Sequence, residues 1–169
     1  MAILKILEFP DSILKQVARP VNVVDDEVRR LLVDMADTMY DAPGIGLAAP
    51  QVGDSRRIIV VDVDWGENDR NPKGYINPEI MLAEGSIKFE EGCLSVPEYQ
   101  SEVERASRVV LHALDPDGKQ VEVEAEDLLA VCFQHEMDHL NGMLFIDRIS
   151  RLKRSLYVKR RKKALTEKK

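Results

Sequence analysis

Three observations in the sequence predict an α+β domain. Extended segments dominate the middle of the chain, and a helix-period segment carrying a polar cluster follows them. Strands and helices also do not alternate as βαβ repeats would. At 169 residues the chain suits one domain with a sizeable core.

Each element has a local cause. Pro10 breaks a strand-like start, and Asp11 or Ser12 can cap a short helix behind it. Asp25, Asp26 and Glu27 open a second helix with acids at its positive dipole end. Val28, Leu31, Leu32, Met35 and Met39 recur at helical spacing, so one stripe faces a core until Pro43-Gly44 ends the run. Residues 58–63 are β-branched and read as a largely buried strand. Short extended pieces are expected around 75–77, 80–83 and 86–89. Residues 109–114 and 120–125 flank Asp115-Pro116-Asp117-Gly118, a turn sequence that predicts a hairpin. The helical period returns from Glu126 to about Leu140, with Gly142 as its stop, and a basic helix is expected over roughly 150–165.

Composition excludes several classes. With 44% hydrophobic and 32% charged residues, the chain is too apolar for a charge-swollen coil. No apolar run approaches the roughly 18 residues a membrane span requires. The first ten residues are too short an apolar stretch, too soon broken by charge, for a signal peptide. Cys93 and Cys132, 39 positions apart, make no disulfide framework, so a reducing, cytoplasmic setting is expected.

The net charge of −6 is unevenly distributed. Residues 148–169 hold 11 of the 24 Lys and Arg against one acid, Glu167, a local +10. The other 147 residues carry 13 bases and 29 acids, a local −16. This divides the chain into a body over 1–150 and a basic helical tail over 151–169.

The most informative stretch is Gln134-His135-Glu136-Met137-Asp138-His139. Two histidines four apart stand about 40° from each other around a helix, one turn apart along it. Both imidazoles can reach one cation, and Glu136 between them can touch a metal-bound water. An amphipathic helix with two surface histidines would present the same letters. However, Leu128, Leu129, Val131 and Phe133 make the preceding turns strongly apolar, so this pair sits against a packed interior. A catalytic divalent site needs a third protein ligand and an open position. Cys132 shares the face of His135 but lies about 10.5 Å along the axis from His139, too nearly in line for a tetrahedral ion. It reads better as a core thiol or pocket wall, and Cys93, in Glu91-Gly92-Cys93-Leu94-Ser95, is the better third ligand. In proteases with an extended form of this pattern a third histidine follows; here Phe145 occupies that place.

The segment Gly44-Ile45-Gly46-Leu47-Ala48-Ala49-Pro50-Gln51 follows a helix and precedes a strand, the wrong order for a phosphate cradle. Its small residues would instead let a substrate backbone lie close, and Gln51 could present an amide donor toward the metal.

Residues 44–51, 91–95 and 134–142 resemble, in order and spacing, the three signature motifs of bacterial peptide deformylases. The resemblance runs from the N-terminus through about residue 150. It implies antiparallel or mixed strands wrapped around a central metal-binding helix, and removal of the formyl group from N-formylmethionine of nascent polypeptides. Carried over by position, it makes Cys93, His135 and His139 the metal ligands and Glu136 the general acid/base for attack of metal-bound water on the formyl carbon, releasing formate. Gln51 and the Leu94 N–H would stabilise the oxyanion. Gly44 and Gly46 would lie along the extended peptide, while Ile45, Phe89, Leu128, Val131 and Cys132 would wall a methionine pocket. The family typically works with Fe²⁺; Zn²⁺, Ni²⁺ or Co²⁺ are expected substitutes for a thiolate and two imidazoles. Some members carry arginine near the site after the second motif, where this chain has Tyr99-Gln100.

Two other readings compete: a metallopeptidase cleaving unformylated peptides, and a binding module that uses the helix structurally. The tail reads as a solvated helix whose start is held to the body by Leu152, Leu156 and Val158. Its positive end suits phosphate backbones, which points to the ribosome as a partner, and its apolar face is too small to favour a membrane surface.

Overall fold

The computed structural model describes residues 2–167, so Met1 of the body and Lys168 and Lys169 of the tail lie outside the described residues. Helix α1 (Asp26–Asp41) starts where expected, the Asp25 carboxylate accepting from the Val28 N–H at 3.0 Å. Asp11 caps a 3₁₀ turn at Ser12–Lys15 in the same manner.

Seven strands follow: β1 (Gly46–Ala48), β2 (Ile58–Val61), β3 (Lys73–Glu84), β4 (Ile87–Cys93), β5 (Val96–Arg105), β6 (Arg108–Leu114) and β7 (Gln120–Glu126). Five form one sheet in the order β1-β2-β3-β6-β7, antiparallel at each pairing. Strands β4 and β5 pair separately as an antiparallel ribbon. Helices α2 (Asp127–Leu140) and α3 (Arg151–Glu167) complete the chain.

Strand β2 shows why its residues are uniformly apolar. Ile58 and Val60 pack with Val28, Leu32, Met35 and Met39 of α1, whereas Ile59 and Val61 pack with Phe133 and Leu140 of α2. Alternating side chains point to opposite faces, so a strand covered on both sides needs an unbroken apolar run. The sheet thus separates two cores, one under each helix. The β6–β7 hairpin turns as expected, with Gly118 at φ +81° and the Asp115 carboxylate accepting from the Asp117 and Lys119 N–H groups.

Residues 2–8, read as a strand-like start, form no strand; the structure departs from the sequence reading in three further places. The pieces expected at 75–77 and 80–83 are one strand, β3, interrupted by a register shift between Ile76 and Glu79. Asn77 there takes φ +51°, and its side-chain amide bonds both the N–H and the carbonyl of Val21. Strand β5 was not anticipated. Its inward positions include Ser101 and Arg105 beside Val96 and Val103, so burial alternates where hydrophobicity does not.

The third difference concerns the tail. Leu152 and Leu156 do not hold it to the body, being 69% and 60% exposed. Tyr157 does so instead: it is 2% exposed and packs with Phe9, Val96 and Phe145, with Val158 partly buried alongside. Its ring lies 4.8 Å from Tyr99 and 6.0 Å from Phe9, centroid to centroid. Aromatic partners on the body therefore decide which face of α3 turns inward, and packing continues across residue 150.

Candidate metal centre

Helix α2 carries two chemistries on different faces. Ala130, Phe133 and Leu140 enter the core with Ile59 and Leu111 of the sheet. His135, Glu136 and His139 are buried as well, with Glu136 only 4% exposed. Cys93 comes from the far end of β4, where the register shifts after Gly92 and the chain turns into β5. The Cys93 thiol and one ring nitrogen from each histidine lie within 4.8 Å of one another. Cys93 Sγ is 3.3 Å from His139 Nε2. Sulfur and nitrogen ligands of one tetrahedral ion stand about 3.5 Å apart, given typical bond lengths, so the donors present fit a soft divalent cation.

The surroundings suit that use. His135 Nδ1 is 2.9 Å from Glu91 Oε1, which leaves Nε2 for a cation. Burial works against ionisation of Glu91, but the Arg105 guanidinium and His135 hold its carboxyl below the usual range. Burial also keeps the His139 imidazole neutral, the form that ligates metal. Glu136 Oε1 is buried without a protein partner among the described residues. Burial is the chief cause that pushes the Glu136 carboxyl up to about 7, a value from which it can both accept and return a proton near neutrality.

A cavity of about 640 Å³ opens over this cluster. Cys93, His135 and Glu136 line it, whereas His139 is buried and does not. Gly44, Ile45, Gly46, Phe89, Leu128, Val131 and Cys132, the residues expected to contact substrate, all line it too. The backbone of β1 must come close: a Cβ on Gly46 would stand 2.5 Å from Glu136 Oε2 and 2.8 Å from Cys132 Sγ. Cys132 is a buried wall whose thiol burial pushes up in pKa, away from the ligand cluster.

Gln51 is not a solvent-facing loop residue; it is 1% exposed in a 3₁₀ turn (Ala49–Val52). Its Oε1 accepts from the Ala48 N–H at 2.9 Å. Its Nε2 donates to Ser95 Oγ at 3.0 Å and lies 3.7 Å from Cys93 Sγ. Leu94 lines the cavity beside Cys93, and Tyr99 and Gln100 reach it from β5.

Sequence reading assigned no role to Glu91, Ser95, Arg105, Asp138 or Arg148, all of which bear on the site. Arg105, buried, grips Glu91 with two bonds of 2.8 Å and Asp138 with one of 2.6 Å. Arg148 grips the same Asp138 at 2.6 and 2.7 Å. The available signal was the acids flanking the ligands, Glu91 before Gly92-Cys93 and Asp138 before His139. Their basic partners lie 14 and 10 positions away in sequence, beyond any local pattern.

Residues 3–155 match the family model for polypeptide deformylase. The chain is 56% identical over 164 residues to a peptide deformylase of Phenylobacterium zucineum, covering 96% of this chain and 97% of the relative. It is 56% identical over 155 residues to one of Pseudomonas aeruginosa, covering 91% of each. Among solved structures, a peptide deformylase from Legionella pneumophila superposes with a TM-score of 0.90 at 46% identity, covering 99% of both chains. One from Synechococcus elongatus, in complex with actinonin, gives a TM-score of 0.89 at 40% identity, covering 95% of this chain and 89% of that one.

Proposed function

Because the chain belongs to the polypeptide deformylase family, and is thereby a metal-dependent hydrolase that removes N-formyl groups, we propose which of its residues carry each part of that reaction. Cys93, His135 and His139 hold the cation, Fe²⁺ in the cell with Zn²⁺, Ni²⁺ or Co²⁺ as substitutes. The observation that carries this reading is the convergence of three donors within 4.8 Å beside a buried, unpartnered carboxylate oxygen on a cavity wall. A divalent cation, when bound there, supplies Lewis acidity that lowers the pKa of water toward neutrality.

The other steps belong to the chain. An extended formyl-Met peptide lies along β1, the terminal strand of its sheet, where Gly44 and Gly46 allow close approach. Ile45, Phe89, Leu128, Val131 and Cys132 receive the methionine side chain. Glu136 takes a proton from the water that adds to the formyl carbon. Gln51 Nε2 and the Leu94 N–H donate to the developing oxyanion, each worth on the order of 3 kcal/mol of barrier. As the C–N bond breaks, Glu136 returns the proton to the amine, leaving formate and a free N-terminus.

Glu136→Ala tests the central assignment. The variant should keep its metal, by elemental analysis of protein prepared without oxygen, and lose roughly 10²- to 10⁴-fold in formate release from a formyl-Met peptide. Activity near that of the parent would overturn the role. Internal cleavage of unformylated peptides, the alternative that family membership does not favour, is assayed on the same preparation.

We place the enzyme in the bacterial cytoplasm, where formylated nascent chains arise; no described helix is long and apolar enough to cross a membrane. The exposed lysines of α3, Lys153, Lys159, Lys162 and Lys163, suit docking on ribosomal RNA. Replacing these four with Gln should weaken ribosome co-sedimentation and flatten its salt dependence, with formyl-Met peptide turnover unchanged. Equal binding by the variant would reject the docking role.

A further inference from the structure

The two elements that bear the metal donors are not continuous with one another. Cys93 belongs to the β4–β5 ribbon, which forms its own sheet, while both histidines belong to α2. The spacing of the three donors therefore depends on what joins the ribbon to the helix. A closed ring of polar contacts does so. From His135 on α2 it runs to Glu91 on β4, from Glu91 to Arg105 on β5, from Arg105 to Asp138, and so back to α2 three residues beyond His135.

Three charged members of this ring, Glu91, Arg105 and Asp138, are almost wholly buried, and together they carry one excess negative charge. Arg148, in the 3₁₀ turn Phe145–Arg148 that follows α2, supplies the missing positive charge. It does so through a two-toothed grip on Asp138, Nε to Oδ2 and Nη2 to Oδ1. Planar fork-to-carboxylate pairing fixes orientation as well as charge.

We propose that Arg148 is a positioning residue for the metal centre, acting through Asp138, Arg105 and Glu91 on the placement of His135 relative to Cys93. The inference rests on the reading that Cys93, His135 and His139 hold the metal. Without Arg148, Asp138 becomes a buried carboxylate with one cation for two acids, and it competes with Glu91 for Arg105. A loosened Glu91 frees the His135 ring to rotate and the ribbon to shift against α2. The ring is also open to change from outside. Arg105, Asp138 and Arg148 line a polar groove of about 1000 Å³ that shares no lining residue with the substrate cavity, so Arg148 acts on the site without lining the place where substrate binds.

The Arg148 side chain is 40% exposed, so its replacement empties no packed core position. The test compares the parent, Arg148→Ala, Arg148→Lys, Cys93→Ala and His139→Ala, each loaded with Zn²⁺ and challenged with EDTA, and each loaded with Co²⁺ for its visible spectrum. Arg148→Ala should release Zn²⁺ about 10-fold faster than the parent, in the range for groups that orient metal ligands. Its Co²⁺ bands should shift or broaden, and kcat should fall with KM little changed. Arg148→Lys, which keeps the charge and loses the fork, should fall between. Release within twofold of the parent with an unaltered Co²⁺ spectrum would overturn the proposal, provided Cys93→Ala and His139→Ala do lose the metal. If those two variants retain Zn²⁺ as the parent does, the ligand assignment itself fails and the positioning role falls with it.

Discussion

Gly46 on β1 and Glu136 on α2 are fitted so closely that one methyl group between them has no room: a Cβ at Gly46 would stand 2.5 Å from Glu136 Oε2. Sheet and helix meet there at the carboxylate proposed as the general acid/base. Gly46→Ala should therefore displace the carboxylate while leaving the metal donors alone. A misplacement near 1 Å costs on the order of 10²-fold in rate. Steady-state formate release should show a drop of that order in kcat, with metal content equal to the parent by elemental analysis.

Trp65, the single tryptophan of the chain, donates from Nε1 to the Gly44 carbonyl at 2.9 Å and packs edge-on against Tyr40 at 5.2 Å. It therefore steadies the segment that the substrate backbone is to follow. Trp65→Phe keeps most of the ring contact and removes the hydrogen bond, a loss of about 1 kcal/mol. The expected result is a KM several-fold higher with kcat preserved. In the parent protein, tryptophan fluorescence should respond to formyl-Met peptide binding.

Truncation after residue 150 should not behave as loss of a solvated tail. It removes Tyr157 from the cluster with Phe9, Val96 and Phe145, and with it the Arg161 bond to the Phe9 carbonyl. Emptying an aromatic position in a core costs about 3 kcal/mol or more. Urea unfolding should show that loss both for the truncation and for Tyr157→Ala, and not for neutralisation of the exposed lysines.

Alkaline conditions should expose the contribution of Tyr40. Burial first, then its hydrogen bond to the Asp62 carboxylate, hold this phenol well above its ordinary value. The fold thus favours the neutral phenol. Its stabilisation is complete below the unfolded tyrosine pKa of about 10 and declines as pH rises toward the folded value. Urea unfolding between pH 8 and 11 should show stability falling at the alkaline end, less steeply in Tyr40→Phe.

What could be read from the letters alone follows from short-range physics. The cap at Asp11 or Ser12, the acids that open α1, the stripe from Val28 to Met39, the hairpin at Asp115–Gly118 and the two histidines one turn apart each depend on neighbours within a few residues. Cys93 stood out as the better third donor because helix geometry disfavoured Cys132 beside the two histidines. Strand β5 was not readable, because its inward positions include a serine and an arginine whose burial is tolerated only where distant partners satisfy them. The face of α3 that turns inward was misjudged for a related reason: aromatic rings from Phe9 and Tyr99, far away in the chain, outweigh the leucines on the helix itself.

Three local patterns, residues 44–51, 91–95 and 134–142, were enough to carry the resemblance to the family, and the expected chemistry came with that resemblance. The distance between those patterns was a matter of folding. The ring through Glu91, Arg105 and Asp138 and the contact of Gly46 with Glu136 join residues tens of positions apart. Such pairings gain their strength from burial, where charges interact with little screening and unfilled space has a cost. That environment exists only once the sheet, the ribbon and α2 have packed together.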